Sequence, residues 1–186
     1  MKRNIQVVGL CGYARAGKDT AARALIDLGW SRLGFADALK GDLHWLMCAC
    51  AKRAKLDRAL TPQYAWFGDP QRKEALRPLM VAYGAAMRSV DPDVWVKRAE
   101  MSMATGGGRV VITDVRYANE CAMIHRHNGI VIQVRRPGCG PANPEEKRSF
   151  AEIENTPGSI DAFVPNSESV ELLHDRILKI VKHSFK

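Results

Sequence analysis

Nine residues constrain this chain more than any others: Gly12-Tyr13-Ala14-Arg15-Ala16-Gly17-Lys18-Asp19-Thr20. They join a short apolar run, residues 5–10, to a stretch of helical periodicity, residues 17–28. A glycine-bearing turn between strand and helix that closes on Gly-Lys is the pattern of a phosphate-binding loop. Its glycines let successive backbone N–H groups converge on phosphate oxygens, and the helix behind it adds the positive end of its dipole. Lys18 has the reach to neutralise the β- and γ-phosphates of ATP. Gly12, Ala14, Arg15, Ala16, Gly17, Lys18, Asp19 and Thr20 therefore form the expected ATP-binding segment. One position departs from the usual pattern. Asp19 stands where Ser or Thr would follow the lysine, and Thr20 comes one place later. A carboxylate beside phosphates repels them unless a cation intervenes, so Asp19 implies Mg²⁺, held directly or through water.

The remaining pattern supplies a scaffold for such a loop. Residues 32–36, 109–113, 130–134 and 162–164 read as further short strands, the second of them strongly β-branched. Helical periodicity runs through 37–53 and 118–127, and through a final helix, 169–182, for which Ser169 is a suitable N-cap. Residues 60–104 are mostly helical in pattern, punctuated by Pro62, Pro70, Pro78 and Pro92, and Gly106-Gly107-Gly108 breaks the chain after them. Asp91-Pro92-Asp93 reads as a helix start. Short apolar strands alternating with helices predict an α/β fold with a parallel sheet covered on both faces. Ligands bind such sheets at the carboxyl ends of the strands, which places the loops at Gly12, Asp37, Asp114 and Arg135 along one edge.

Composition narrows the classes further. A length of 186 residues suits a single domain, 1–186, able to bury its own core. Lys and Arg exceed Asp and Glu by 28 to 20, a formal charge of +8 that favours acidic partners without choosing among nucleotides, nucleic acid and anionic lipid. The longest apolar run, residues 45–51, falls far short of the ~20 residues of a membrane span. The basic start, Met1-Lys2-Arg3, precedes too short an apolar stretch for a secretory signal, so a cytoplasmic location is expected. The five cysteines, with no Cys-x-x-Cys pair, read as small thiols in a reducing compartment, and the five histidines show no metal spacing.

Residues 9–20 resemble the phosphate loop of phage-type deoxynucleoside monophosphate kinases. Three later segments agree in order and spacing: Phe35-Ala36-Asp37-Ala38-Leu39-Lys40, Arg88-Ser89-Val90-Asp91-Pro92-Asp93-Val94-Trp95, and Val111-Ile112-Thr113-Asp114-Val115-Arg116-Tyr117-Ala118-Asn119-Glu120. The resemblance covers residues 5–137 and weakens through the final helix. It implies a three-layer P-loop kinase fold, a central parallel sheet flanked by helices. A helical monophosphate-binding region would span 37–105 and a lid 135–158. It also implies ATP- and Mg²⁺-dependent transfer of a γ-phosphoryl group to a deoxynucleoside monophosphate, in the host cytoplasm if the chain is phage-encoded.

Several residues acquire expected roles from this resemblance. Asp37 and Lys40 fall where such kinases face the acceptor nucleotide; the plain reading is a helix cap and a solvated lysine. Arg77 and Arg88 offer guanidinium forks suited to a monophosphate, or are surface charges. Trp95 either stacks on a base or fills the core. Asp114 resembles the second acidic motif of P-loop enzymes, which orders Mg²⁺, and Arg116 should reach the acceptor phosphate beside it; the alternative is a salt bridge. Arg135 and Arg136, with a candidate lid helix from Asn143, would join Lys18 and Arg15 in holding the transferring group and expelling water. The family often shows a His and Ser-Glu beyond this point, where this chain has Arg148-Ser149-Phe150-Ala151-Glu152. Asn166 and Ser167 occupy a place that often contacts adenine, or form an ordinary turn.

Two other classes compete with this reading. One is a P-loop kinase for another small phosphorylated acceptor. The other is a nucleic-acid-binding P-loop ATPase, against which stand the absence of a DNA-binding motif and the scatter of basic residues among acidic ones. A nucleotide-binding protein without turnover is a third. The expected partner is a small nucleotide, with no membrane and no nucleic acid; a homodimer is left open.

Overall fold

The computed structural model describes residues 5–55, 63–105 and 108–185. Leu60, Pro62, Gly106 and Gly107, which the sequence reading places in the helical stretch and the break after it, lie outside them. The chain divides into two compact units, one holding the residues up to Gly34 and from Glu100 onward, the other Phe35–Ala99.

The first unit is built on five strands: β1 (Gln6–Cys11), β2 (Ser31–Leu33), β3 (Arg109–Val115), β4 (Ile130–Arg135) and β5 (Ala162–Pro165). All pair in parallel, in the order β2-β3-β1-β4-β5. Strand alternation sends Val8, Leu10, Val111, Ile132 and Val134 to one face of the sheet. There they meet Ala21, Ala22 and Leu25 of α1 (Lys18–Ile26), and Leu173, Ile177 and Val181 of α7 (Val170–Ser184). The opposite face receives α5 (Ala118–Arg126), whose Ile124 lies against the backbone at Gly9. Next to α5 packs α6 (Pro144–Asn155), with Phe150 and Ile153 fully buried. Helices on both faces of a parallel sheet give the three layers expected from the alternating pattern.

The second unit is helical. It contains α2 (Phe35–Arg53), a 3-10 turn (Tyr64–Phe67), α3 (Pro70–Val90) and the first residues of α4 (Val94–Thr105). Asp69 caps α3, its carboxylate accepting from the Arg72 N–H at 2.8 Å, with Pro70 in the first turn where a missing N–H costs nothing.

Local differences from the sequence reading have physical causes. Phe35 and Ala36 are helical, because β2 is an edge strand that pairs only with β3 and for only three residues. Pro78 lies inside α3 instead of interrupting it. Pro92 precedes α4 in a tight turn, where the Val94 N–H donates to the Asp91 carbonyl at 3.1 Å.

Candidate functional site

The loop between β1 and α1 emerges where the strand order switches sides, with β3 and β2 to one flank of β1 and β4 and β5 to the other. That is the point at which open parallel sheets bind ligands. Gly12 has φ +143° and Gly17 φ +99°. A Cβ at Gly12 would collide with the Val134 carbonyl oxygen, and one at Gly17 with the Asn166 side-chain amide. Both glycines are thus required by the turn itself. Arg15, between them, holds φ +66° without being glycine. Asn166 secures the loop from the end of β5, its Nδ2 donating to the Ala16 carbonyl at 2.9 Å.

Lys18 opens α1 and folds back over the loop. Its Nζ donates to the Gly12 carbonyl at 2.7 Å and the Tyr13 carbonyl at 2.9 Å. Burial and the nearby Arg116 guanidinium lower its pKa, while Glu146 and Asp19 oppose them. Arg116 thus stands within electrostatic reach of the loop lysine. Cys11, directly before the loop, is buried, and desolvation pushes its thiol up to about 12, so it is a neutral apolar neighbour.

Asp114 does not end a strand. β3 continues to Val115, and the pairing with β1 shifts by one residue, from Gly9–Ile112 to Cys11–Val115. This bulge leaves Asp114 half-buried between buried Thr113 and Val115, and bulges commonly re-aim a side chain next to a site. The turn after it is held by Glu120, which is 5% exposed. Glu120 Oε2 accepts from the Arg116 N–H at 2.6 Å and the Tyr117 N–H at 3.1 Å. Burial, with the Asp114 charge adding to it against the two amides, raises the Glu120 pKa to about 8.

Glu120 carries a pH signature. The folded protein holds its proton more tightly than the unfolded chain, where a glutamate titrates near 4.5. The resulting stability is complete below that value and is lost as pH rises through about 8. Glu120→Gln keeps the acceptor without the charge. It is expected to flatten the decline in urea-unfolding stability between about pH 5 and pH 8. A slope as steep as that of the parent protein would refute this assignment.

A cleft of about 190 Å³ lies beside the loop, lined by Tyr13, Ala16, Gln133, Val134, Arg135, Arg136, Cys139 and Glu154. Both candidate lid arginines border it. Arg135 is engaged: Nε donates to Gln133 Oε1 at 2.7 Å, the guanidinium pairs with Glu154 at 3.4 Å, and its carbon sits 4.2 Å from the Phe163 ring centre. The candidate lid segment is partly core, because the helix beyond Asn143 buries Glu146, Ser149, Phe150 and Ile153.

The other expected acceptor residues belong to the helical unit. Lys40 and Asp37 form a half-buried pair at 3.1 Å on α2. Arg77 is exposed and paired with Glu74 at 2.8 Å, one turn away on α3. Arg88, on the same helix, lies near Gly84. Trp95 is 4% exposed, with its ring 5.9 Å from Tyr83 and its N–H 3.4 Å from the Gly84 carbonyl. That placement makes it core, not a stacking platform for a base. Among the described residues no group of three His, Cys, Asp or Glu could cage a metal, and no helix is long and apolar enough to cross a membrane.

A five-stranded parallel sheet in this order, flanked by helices and carrying a glycine-lysine loop at its central strand, is the P-loop kinase fold. Solved structures agree. Dephospho-CoA kinase from Campylobacter jejuni is 13% identical, with 96% of this chain and 97% of that one covered and a TM-score of 0.52. A protein of Thermus thermophilus is 18% identical, with 98% of both chains covered and a TM-score of 0.50. In sequence, the chain is 28% identical over 192 residues to the "Putative deoxynucleotide monophosphate kinase" of Acanthamoeba polyphaga mimivirus, spanning 96% of this chain and 97% of that protein. This likeness along the whole length bears out the resemblance carried by the four segments. No family model matches the chain.

Proposed function

We propose that this chain is an ATP- and Mg²⁺-dependent kinase that transfers the γ-phosphoryl group to a deoxynucleoside monophosphate, giving the deoxynucleoside diphosphate and ADP. The observation that carries the reading is Lys18, placed across a phosphate loop that only glycine at positions 12 and 17 allows. The end-to-end similarity to a protein named for deoxynucleotide monophosphates supports the acceptor class.

Such a reaction needs positioning and charge neutralisation more than covalent chemistry. Backbone N–H groups of the loop and Lys18 would hold the ATP phosphates, with Arg15 and Arg136 on the transferring group. Arg135 would join them by leaving Glu154. That pair is more than two-fifths exposed on both sides and so is cheap to break. Lys40, Arg88 and Arg116 would take the acceptor phosphate, with Asp37 orienting Lys40. Arg77 would contribute only on release from Glu74.

Asp19 and Asp114 suit Mg²⁺, which is commonly held by one or two carboxylates plus substrate phosphates instead of a full protein cage. When bound, the ion would neutralise charge on the phosphate oxygens.

The test is product identification. ATP, Mg²⁺ and each deoxynucleoside monophosphate in turn should yield the matching diphosphate for at least one base. Ribonucleotides and non-nucleotide phosphorylated acceptors serve as competitors. Diphosphate formed only from a non-nucleotide acceptor, or ATP hydrolysis stimulated by DNA, would replace this reading with one of the other two.

A further inference from the structure

We propose that Glu146, in the first turn of α6, is a positioning residue that holds the phosphate loop in its nucleotide-binding shape; this rests on reading that loop as the ATP site. The carboxylate is 4% exposed and bridges two segments far apart in sequence. Its Oε1 accepts from the Ala14 N–H in the loop at 3.2 Å, and its Oε2 from the Ala142 N–H at 2.6 Å. Its own N–H donates to the Asn143 side chain at 2.8 Å, which fixes the start of the helix beneath it.

The need for such a brace lies in the next residue. Arg15 adopts φ +66°, a backbone conformation that residues with a Cβ avoid. It persists only where the surroundings over-determine it. The amide just before it is the one that Glu146 holds. The same helix secures the loop once more and also holds the segment after β3. Phe150 packs on the Tyr13 ring at 4.8 Å, and Glu145 accepts from the Tyr117 hydroxyl at 2.6 Å, beyond β3. Helix α6 thus grips the loops at the ends of both β1 and β3. The Glu146 charge also acts on Lys18 in the direction that keeps the ammonium protonated, as phosphate binding requires.

The experiment measures ATP affinity by calorimetry, and KM and kcat, on the full chain and three variants. Glu146→Ala leaves the Ala14 amide without its acceptor. It is expected to weaken ATP binding and raise KM about tenfold or more, the equivalent of one charge-assisted hydrogen bond, with kcat at saturating ATP within about threefold. Glu146→Gln keeps one acceptor and sets an N–H₂ against the other amide, so its loss should be intermediate. Ile153→Val, buried in the same helix two turns on, should lower the melting temperature while ATP affinity stays within about twofold. If Glu146→Ala does not fold, Glu146→Gln decides. Glu146 variants that lose thermal stability but bind ATP as tightly as Ile153→Val would overturn the proposal and leave the ATP site standing. A parent protein that binds no ATP would overturn both.

Discussion

Lys18→Ala is expected to lower phosphoryl transfer by about 10²–10³-fold or more while the protein remains folded. In the proposed reaction the ammonium is the charge that the loop offers to the phosphates, and in the fold it donates to the Gly12 and Tyr13 carbonyls at 2.7 and 2.9 Å. Removing it deletes a partly buried charge that already bears a desolvation cost, so the core beneath should tolerate alanine. Circular dichroism and the melting temperature check the fold, and coupled ADP release checks the rate. A variant retaining more than about a tenth of the parent rate would show that transfer does not pass through this loop.

The second large effect is structural. Gly12→Ala is expected to destabilise the protein by at least about 2 kcal/mol and to abolish measurable ATP binding, because its Cβ would meet the backbone oxygen of Val134 on the neighbouring strand. Backbone inside a sheet cannot yield as a side chain can. Gly17→Ala is the informative comparison. Its obstacle is the Asn166 side chain, which can swing away at the loss of its bond to the Ala16 carbonyl, so its cost should be the smaller. Urea unfolding of both variants measures the difference. Equal stability of Gly12→Ala and the parent would contradict the loop conformation described here.

What could be read in the sequence was whatever depends on neighbours along the chain. The phosphate loop is a local pattern of glycines and a lysine. The five strands and the helices around them follow from apolar periodicity, and Ser169 caps α7, with the Leu172 N–H 3.3 Å from its hydroxyl, because capping is decided within one turn. Most of what could not be read depends on partners more than a hundred residues away. Asn166 meets Ala16 across 150 positions and Glu146 meets Ala14 across 132. Nothing near Glu146 distinguishes it from an acidic residue in the first turn of any helix, although Asn143-Pro144-Glu145-Glu146 did mark that helix start. The bulge at Asp114 is likewise a property of pairing, invisible in the β-branched run itself. Trp95 was open to two readings, base platform or core, and burial against Tyr83 decides for the core.

Kinase activity is tested most directly by ADP release from the purified full chain with ATP and Mg²⁺, with and without a deoxynucleoside monophosphate, in the parent protein and in Lys18→Ala. Turnover is expected to require the monophosphate, to produce one diphosphate per ADP and to disappear in the variant. Folded protein that binds ATP but releases no ADP with any nucleotide would rule out a nucleoside monophosphate kinase.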